Sequence, residues 1–214
     1  KVSVPRGDDE MIVGDEVYFA VESSHLERAM SVFGHEEKEA RRVIIVGGGN
    51  VGLFLAQALE EEHRNVAPKL IEIDEERARY AAEKLTRTVV LHGDALDREL
   101  LEEANVEATE TVVAVANDDE VNVLSSLLAK RYGCTRAVTL INNSSYDSLI
   151  TSLGIDVVVN PRAITVSRIL EHVRRGKIRG VHSLTDGLAE VIEAVALETS
   201  PLVGVPLREI DLPP

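Results

Sequence analysis

Arg42-Val43-Ile44-Ile45-Val46-Gly47-Gly48-Gly49-Asn50-Val51-Gly52 decides the fold, because a short apolar run empties there into closely spaced glycines. The run has the length and composition of a buried strand. Beyond it Val51, Phe54, Leu55, Ala58 and Leu59 recur at helical spacing, with Gln57, Glu60, Glu61 and Glu62 on or past the other face. Gly47, Gly49 and Gly52 stand at G-x-G-x-x-G spacing. In that pattern the first glycine allows the tight turn, the second lets backbone approach a diphosphate, and the third lets helix and strand pack closely. The helix amino end then favours an anion through its unpaired N–H groups and partial positive charge. Three glycines fall at these offsets by chance in many chains, so context has to carry the reading. Glu72 supplies it, 20 residues past Gly52 at the end of a second apolar run, Lys69-Leu70-Ile71-Glu72-Ile73-Asp74, where the fingerprint needs a carboxylate for ribose hydroxyls.

Outward from this core, runs of strand length near 43–47, 69–73, 88–92, 111–115, 137–141 and 156–159 alternate with helical patterns. Such alternation predicts an α/β fold, a Rossmann-like doubly wound parallel sheet, flanked here by small α+β subdomain pieces. Asp94 follows the third strand and Ala116-Asn117-Asp118 the fourth, so both segments belong to the carboxyl edge where open α/β sheets bind ligands. Val121, Leu124, Leu127 and Leu128 begin the next helix, and Pro161 opens one with Val166, Ile169, Leu170 and Val173 on its inner face. Pro68 is expected at the first residue of the second strand or at a bulge. Residues 1–22 read as a small β piece, Ser24 as the N-cap of a helix that Gly34 ends, and Val191 to Leu197 as a strand. Pro206 to Ile210 reads as one helical turn.

The 214 residues suffice for one ordinary domain with flanking pieces, and 44% hydrophobic content supports a sizeable core. No apolar run approaches the roughly 20 residues that cross a bilayer, so direct membrane insertion is not expected and any membrane link runs through a partner. A formal charge of −14 argues against nucleic acid and anionic lipid surfaces. The single Cys134 forms no intramolecular disulfide and suits a reducing compartment as a packing residue. Six histidines without ligand spacing make a metal site improbable. The chain starts at Lys1 and ends on Leu212-Pro213-Pro214, which suggests a fragment of something longer.

The glycine loop, the acid-x-acid-x-x-Arg pattern of Glu72, Asp74 and Arg77, Gly93-Asp94, Asn117-Asp118-Asp119-Glu120-Val121-Asn122 and Leu153-Gly154-Ile155-Asp156 leading to Asn160-Pro161 together resemble the KTN or RCK nucleotide-binding domains that regulate potassium transport. Within that family the match is to the cytoplasmic subunits of Trk-type uptake systems, and it covers nearly the whole chain. The resemblance implies three parts: residues 1–40 end a preceding RCK C-terminal-type subdomain with its connector, 41–175 form the nucleotide-binding domain, and 176–214 start a second such subdomain. It further implies a regulatory, non-catalytic protein that binds NAD or NADH, with ATP or ADP as alternative ligands. Its partners would be a membrane potassium-transporting subunit and further copies of itself, as dimers assembling into a tetrameric ring. It would lie in the cytoplasm, peripheral to the inner face of the cell membrane through that partner.

The roles implied are these. Gly47, Gly48, Gly49, Asn50 and Val51 present N–H groups to the diphosphate ahead of Gly52, and Glu72 accepts from the adenosine ribose, which disfavours a 2′-phosphate as a like charge. Asp74 and Arg77, beside Ile73, contact ribose or phosphate, a solvated helix face being the alternative for Arg77. Asp94 and Ala95, after Gly93, line the adenine pocket, with an N-cap as the alternative for Asp94. Asn117 and Asp118, after Ala116, reach the distal end or cap the following helix. Family members often carry an arginine in the fifth strand; Thr139 stands there here, so phosphate contact from that strand is in question and Arg136 and Arg77 are the substitutes. Two rivals remain: an NAD-dependent oxidoreductase, which would need a substrate domain and an acid-base pair, and the same fold behind a potassium antiporter or calcium-gated channel.

Overall fold

The computed structural model describes residues 7–15, 17–34, 40–143, 150, 152–173, 178–184, 189–200, 202–206 and 209. Two compact units emerge: Met30–Arg162, and Lys1–Ala29 with Ala163–Pro214.

The first unit is built on a six-stranded sheet. In chain order it runs β1 (Arg42–Val46), α2 (Asn50–Glu62), β2 (Ala67–Glu72), α3 (Glu75–Lys84), β3 (Val89–His92), α4 (Arg98–Glu103), β4 (Thr111–Ala114), α5 (Asp119–Arg131), β5 (Arg136–Leu140) and β6 (Val157–Val159); the short α1 (Leu26–Val32) falls across the boundary between the two units. All neighbours pair in parallel in the order β3-β2-β1-β4-β5-β6. The order reverses between β1 and β4, which opens a crevice at their carboxyl ends. Both faces are covered, as the unbroken apolar run in β1 requires. Val43, Ile45 and Leu70 meet Ala56 and Ala81 on one side; Ile44, Val46, Ile71 and Val112 meet Leu101 and Ala129 on the other.

The most buried residues of α2 and α5 are small ones, with larger neighbours such as Leu55, Leu59, Leu127 and Leu128 partly buried beside them. On α2 the buried residues are Gly52 and Ala56, while Val51 is exposed and Phe54 is 70% exposed. On α5 they are Asn122, Ser125, Ser126 and Ala129, while Leu124 is exposed. Small side chains let both helix backbones lie close to the strands, and burial of larger ones there would hold them off. In the helix α6 (Pro161–Val173), most of which belongs to the second unit, Val166 and Ile169 of the expected inner face are exposed, and the side chains of Leu170 and Val173 lie outside the described residues.

Pro68 sits neither first in β2 nor at a bulge: it pairs with Val43 in register. Ala67 N–H donates to Arg41 O toward β1, so the missing N–H of Pro68 faces the β3 side, where the ladder begins only at Lys69. Glu60, placed above on or past the outer face of the helix, is instead a staple. Its carboxylate accepts from the N–H groups of Thr86, Arg87 and Thr88 and both threonine hydroxyls at 2.7–3.0 Å, tying the end of α2 to the approach to β3. Burial pushes this carboxyl up, but those donors together outweigh it and bring the pKa from 4.5 down to about 2. A depressed carboxylate contributes stability above its unfolded pKa and loses it as pH falls through the folded one. The gap between the wild type and Glu60→Gln in thermal unfolding is therefore expected to be about 2 kcal/mol near neutrality, discounted for partial solvation, and to close between pH 4.5 and about 2. A gap that stays constant over that window contradicts the assignment.

The second unit contains an antiparallel pair, β7 (Ile178–Leu184) with β8 (Ala189–Ala194), so the strand expected from Val191 to Leu197 is present at Val191 but ends at Ala194. Described residues 7–15 and 17–22 form no strand, where alternation predicts a small β piece. Val2 to Val4 lie outside the described residues. The helix carrying Leu26 and Met30 forms as α1 and ends at Gly34, whose N–H donates to Ser31 O. Of the expected turn at 206–210 only Pro206 and Glu209 are described, joined by Glu209 N–H to Pro206 O at 2.8 Å. No helix among the described residues is long and apolar enough to cross a membrane.

Candidate functional site

The cleft is assembled from the carboxyl ends of β1, β2, β3 and β4. At the end of β1, Gly47 turns the chain with φ +103°, a conformation that side chains resist, and its N–H donates to Ile71 O at 2.9 Å. Gly49 is the N-cap of α2 and brings no side-chain hydrogen bond, so the first-turn N–H groups have no side-chain cap. Gly52 lies so near the turn that a Cβ there would fall on the Gly47 carbonyl oxygen and 3.3 Å from Ile45 Cγ2.

At the end of β2, Glu72 is only 6% exposed. Its carboxylate accepts from Gly48 N–H and, at 2.9 Å, from Asp74 N–H. Each oxygen keeps a lone pair, so the group holds the glycine loop and still presents acceptors to the cleft. Asp74 caps α3 by accepting from Arg77 N–H at 2.8 Å. Arg77 reaches over the loop: a Cβ on Gly49 would stand 3.7 Å from its Nη1. Among the described residues its guanidinium makes no ion pair.

Asp94 accepts from Leu96 N–H at 2.8 Å, a local turn, and the cap of α4 is Asp97 rather than Asp94. On the β4 side, Val115 N–H donates to Val46 O, and Asp118 caps α5 by accepting from Val121 N–H at 2.9 Å. The capping roles and the cleft thus coincide at Asp74 and Asp118.

These segments enclose a cleft of about 410 Å³. Of the residues expected at the site, Gly47, Gly49, Glu72, Ile73, Asp74, Arg77, Gly93, Asp94, Ala95, Ala116, Asn117 and Asp118 line it. Gly48, Asn50, Val51 and Gly52 do not; Gly48 serves it through Glu72, Gly52 by closing helix on strand, and Val51 faces solvent. The motif reading missed Val46, Ile71, Leu96, Val115 and Val121, an apolar floor and wall that only the topology brings together. Among the described residues Arg77 is the one basic lining residue, against the carboxylates of Glu72, Asp74, Asp94 and Asp118. Thr139 is fully buried and its hydroxyl shares a 2.7 Å hydrogen bond with Ser126, so it does not face the cleft. Arg136 begins β5, at the opposite edge of the sheet from the cleft, which leaves Arg77 as the substitute cation. Among the described residues, no group of three or more His, Cys, Asp or Glu is placed to hold a metal ion.

A doubly wound parallel sheet with a glycine turn, a buried acid and a cleft at its switch point defines a Rossmann-like domain. The chain belongs to the TrkA-N domain family, whose model matches residues 43–161. It is 54% identical over 212 residues to the Trk system potassium uptake protein TrkA of Azorhizobium caulinodans, covering 99% of this chain and 46% of that protein. The chain thus spans about half the length of the curated relatives it matches. Among solved structures it resembles the TrkA-N domain of the inner membrane protein ybaL from Escherichia coli, with TM-score 0.57 at 17% identity over 64% of this chain and all of that one. It also resembles the GsuK channel bound to NAD, with TM-score 0.56 at 17% identity over 75% of this chain and 29% of that one. GsuK bound to ADP gives TM-score 0.52 at 23% identity, over 63% and 35%.

Proposed function

We propose that this chain is the nucleotide-sensing part of a cytoplasmic regulatory subunit of a Trk-type potassium uptake system. It binds NAD or NADH, with ADP or ATP as alternative ligands, and its bound state gates a membrane potassium-transporting subunit. The observation that carries the reading is the meeting in one cleft of a helix start without a side-chain cap, a buried carboxylate with free lone pairs and a guanidinium that makes no ion pair among the described residues. Together they offer acceptors for ribose and donors for diphosphate in one cleft. The name carried by the Azorhizobium relative supports the Trk assignment, and the GsuK complexes with NAD and ADP support the ligand class.

The remaining parts of the reading follow from it. The chain assembles as dimers within a tetrameric ring, and the segments 1–40 and 176–214 belong to small subdomains beside the nucleotide domain 41–175. A ligand acts here by binding two conformations unequally, with couplings of about 1–3 kcal/mol. Catalysis is not required by this reading.

The acidic lining favours a dinucleotide, which carries less negative charge than ATP, and Glu72 opposes the 2′-phosphate of NADPH. In thermal unfolding, NAD or NADH at a hundredfold excess over Kd is expected to stabilise by about 2.7 kcal/mol, raising Tm by roughly 5–10 °C. ATP should shift it less and NADPH least. If no adenine nucleotide moves Tm, the site reading fails; if NADH is oxidised against a panel of carbonyl compounds, the regulatory reading fails in favour of an oxidoreductase.

A further inference from the structure

Ala116-Asn117-Asp118, the wall of the cleft on the β4 side, is held from behind by a side chain outside the lining. Asn122 lies one turn into α5 and is fully buried. Its Oδ1 accepts from Ala116 N–H at 2.7 Å, and its Nδ2 donates to the carbonyls of Ala116 at 2.9 Å and Leu140 at 3.0 Å. The amide therefore pairs with both backbone groups of one residue, as a neighbouring strand would, just beyond the last residue of β4. The third bond ties that point to the end of β5. No other side chain of this size carries one acceptor and two donors in that arrangement; a carboxylate lacks the donors and a hydroxyl lacks the second one.

The sheet order decides which part of a ligand this wall meets. β2 and β4 flank β1 on opposite sides. A nucleotide with its ribose at Glu72 and its phosphates over Gly47 and Gly49 brings whatever follows the diphosphate to Ala116 and Asn117. A nucleoside monophosphate ends before reaching them.

We propose that Asn122 is a positioning residue that sets the β4 wall for the second half of a dinucleotide, so that the cleft prefers NADH to AMP through a side chain that touches neither. The proposal rests on the nucleotide reading of the cleft. Ser126 provides the control: it lies one turn further along the same helix, is equally buried, and bonds Thr139 rather than the cleft wall. Its truncation loses a buried hydrogen bond of similar kind without releasing Ala116.

The test is calorimetric titration of the chain with NADH and with AMP, in the wild type, Asn122→Ala and Ser126→Ala. Asn122→Ala is expected to lower the NADH-to-AMP affinity ratio by about tenfold, with AMP affinity held within about twofold, and Ser126→Ala to leave the ratio unchanged. Should Asn122→Ala not fold, Asn122→Ser, which leaves a hydroxyl in the same space, is read the same way. Amide exchange at Ala116 in the free protein, faster in the Asn122 variant and not in the Ser126 variant, is the accompanying ligand-independent result. A ratio that stays constant in the Asn122 variant, or falls equally in both, overturns the proposal while the nucleotide reading stands. A wild type that binds neither ligand overturns both.

Discussion

Gly52→Ala is expected to destabilise the domain by about 3 kcal/mol or more and to abolish nucleotide binding at millimolar ligand, the largest loss for the smallest added group in this chain. The new Cβ would fall on the Gly47 carbonyl oxygen, a backbone atom with no rotamer to yield. Gly47 cannot retreat cheaply. Its N–H is bonded to Ile71 O, and the far side of the turn is closed by Ala116, which a Cβ on Gly47 itself would meet at 2.8 Å. Relief must come by lifting α2 off β1, which opens the packing of Ala56 and Ile45, both wholly buried, or by deforming the turn that carries the diphosphate donors. Either route ruins the site. Gly49→Ala separates fold from site: its Cβ would meet only Arg77 Nη1, at ordinary contact distance, and its φ of −69° suits any residue. That variant should unfold within about 0.5 kcal/mol of wild type and still bind NADH more weakly, because the methyl group stands where a phosphate approaches. Denaturant unfolding and NADH titration on the two variants check this. A Gly52→Ala protein with wild-type stability would mean that helix and strand are not in the close contact described.

The strands were legible because a parallel sheet covered on both faces leaves an unbroken apolar signature, and β1 carries it from Val43 to Val46. The glycine spacing and Glu72 were legible for the same kind of reason, since each position answers a geometric demand that few residues meet. What escaped was whatever depends on partners distant in sequence. Glu60 looks like its neighbours Glu61 and Glu62, and only the arrival of backbone N–H groups from residues 86–88 makes it a staple. Pro68 looks wrong for an inner strand until β3 is seen to begin beside Lys69. The inner face of α5 is not marked by its leucines alone, since Leu127 and Leu128 are partly buried and Leu124 is exposed. A signal was available there: Asn122, Ser125, Ser126 and Ala129 are small or polar at inner-face spacing, the mark of a helix that approaches closely and satisfies its polar groups within. The apolar floor of the cleft, Val46, Ile71 and Val115, belongs to no motif, and it follows from strand order alone.

Glu72→Ala is expected to reduce NADH affinity by about a hundredfold and stability by about 2–4 kcal/mol, because the residue holds two things at once. In the free protein its carboxylate is the acceptor for Gly48 N–H and Asp74 N–H, and at 6% exposure water has little access to replace it. Truncation leaves both donors without a partner, each worth about 1–3 kcal/mol when buried, and frees the glycine loop from the end of β2. The ribose contact is lost in addition. Glu72→Gln distinguishes the two roles. The amide keeps one acceptor oxygen but turns an NH2 group toward one of the two N–H donors, so the loop anchor is half lost, while the negative charge that opposes a 2′-phosphate is removed entirely. The amide variant should therefore narrow the preference for NADH over NADPH while remaining folded, and the alanine variant should weaken both ligands. Titration of both ligands against both variants, with Tm measured on the free proteins, resolves the outcome. NADH affinity unchanged in Glu72→Ala would remove the ribose from Glu72, and with it the orientation that puts adenosine over β2 and the rest of the ligand toward β4.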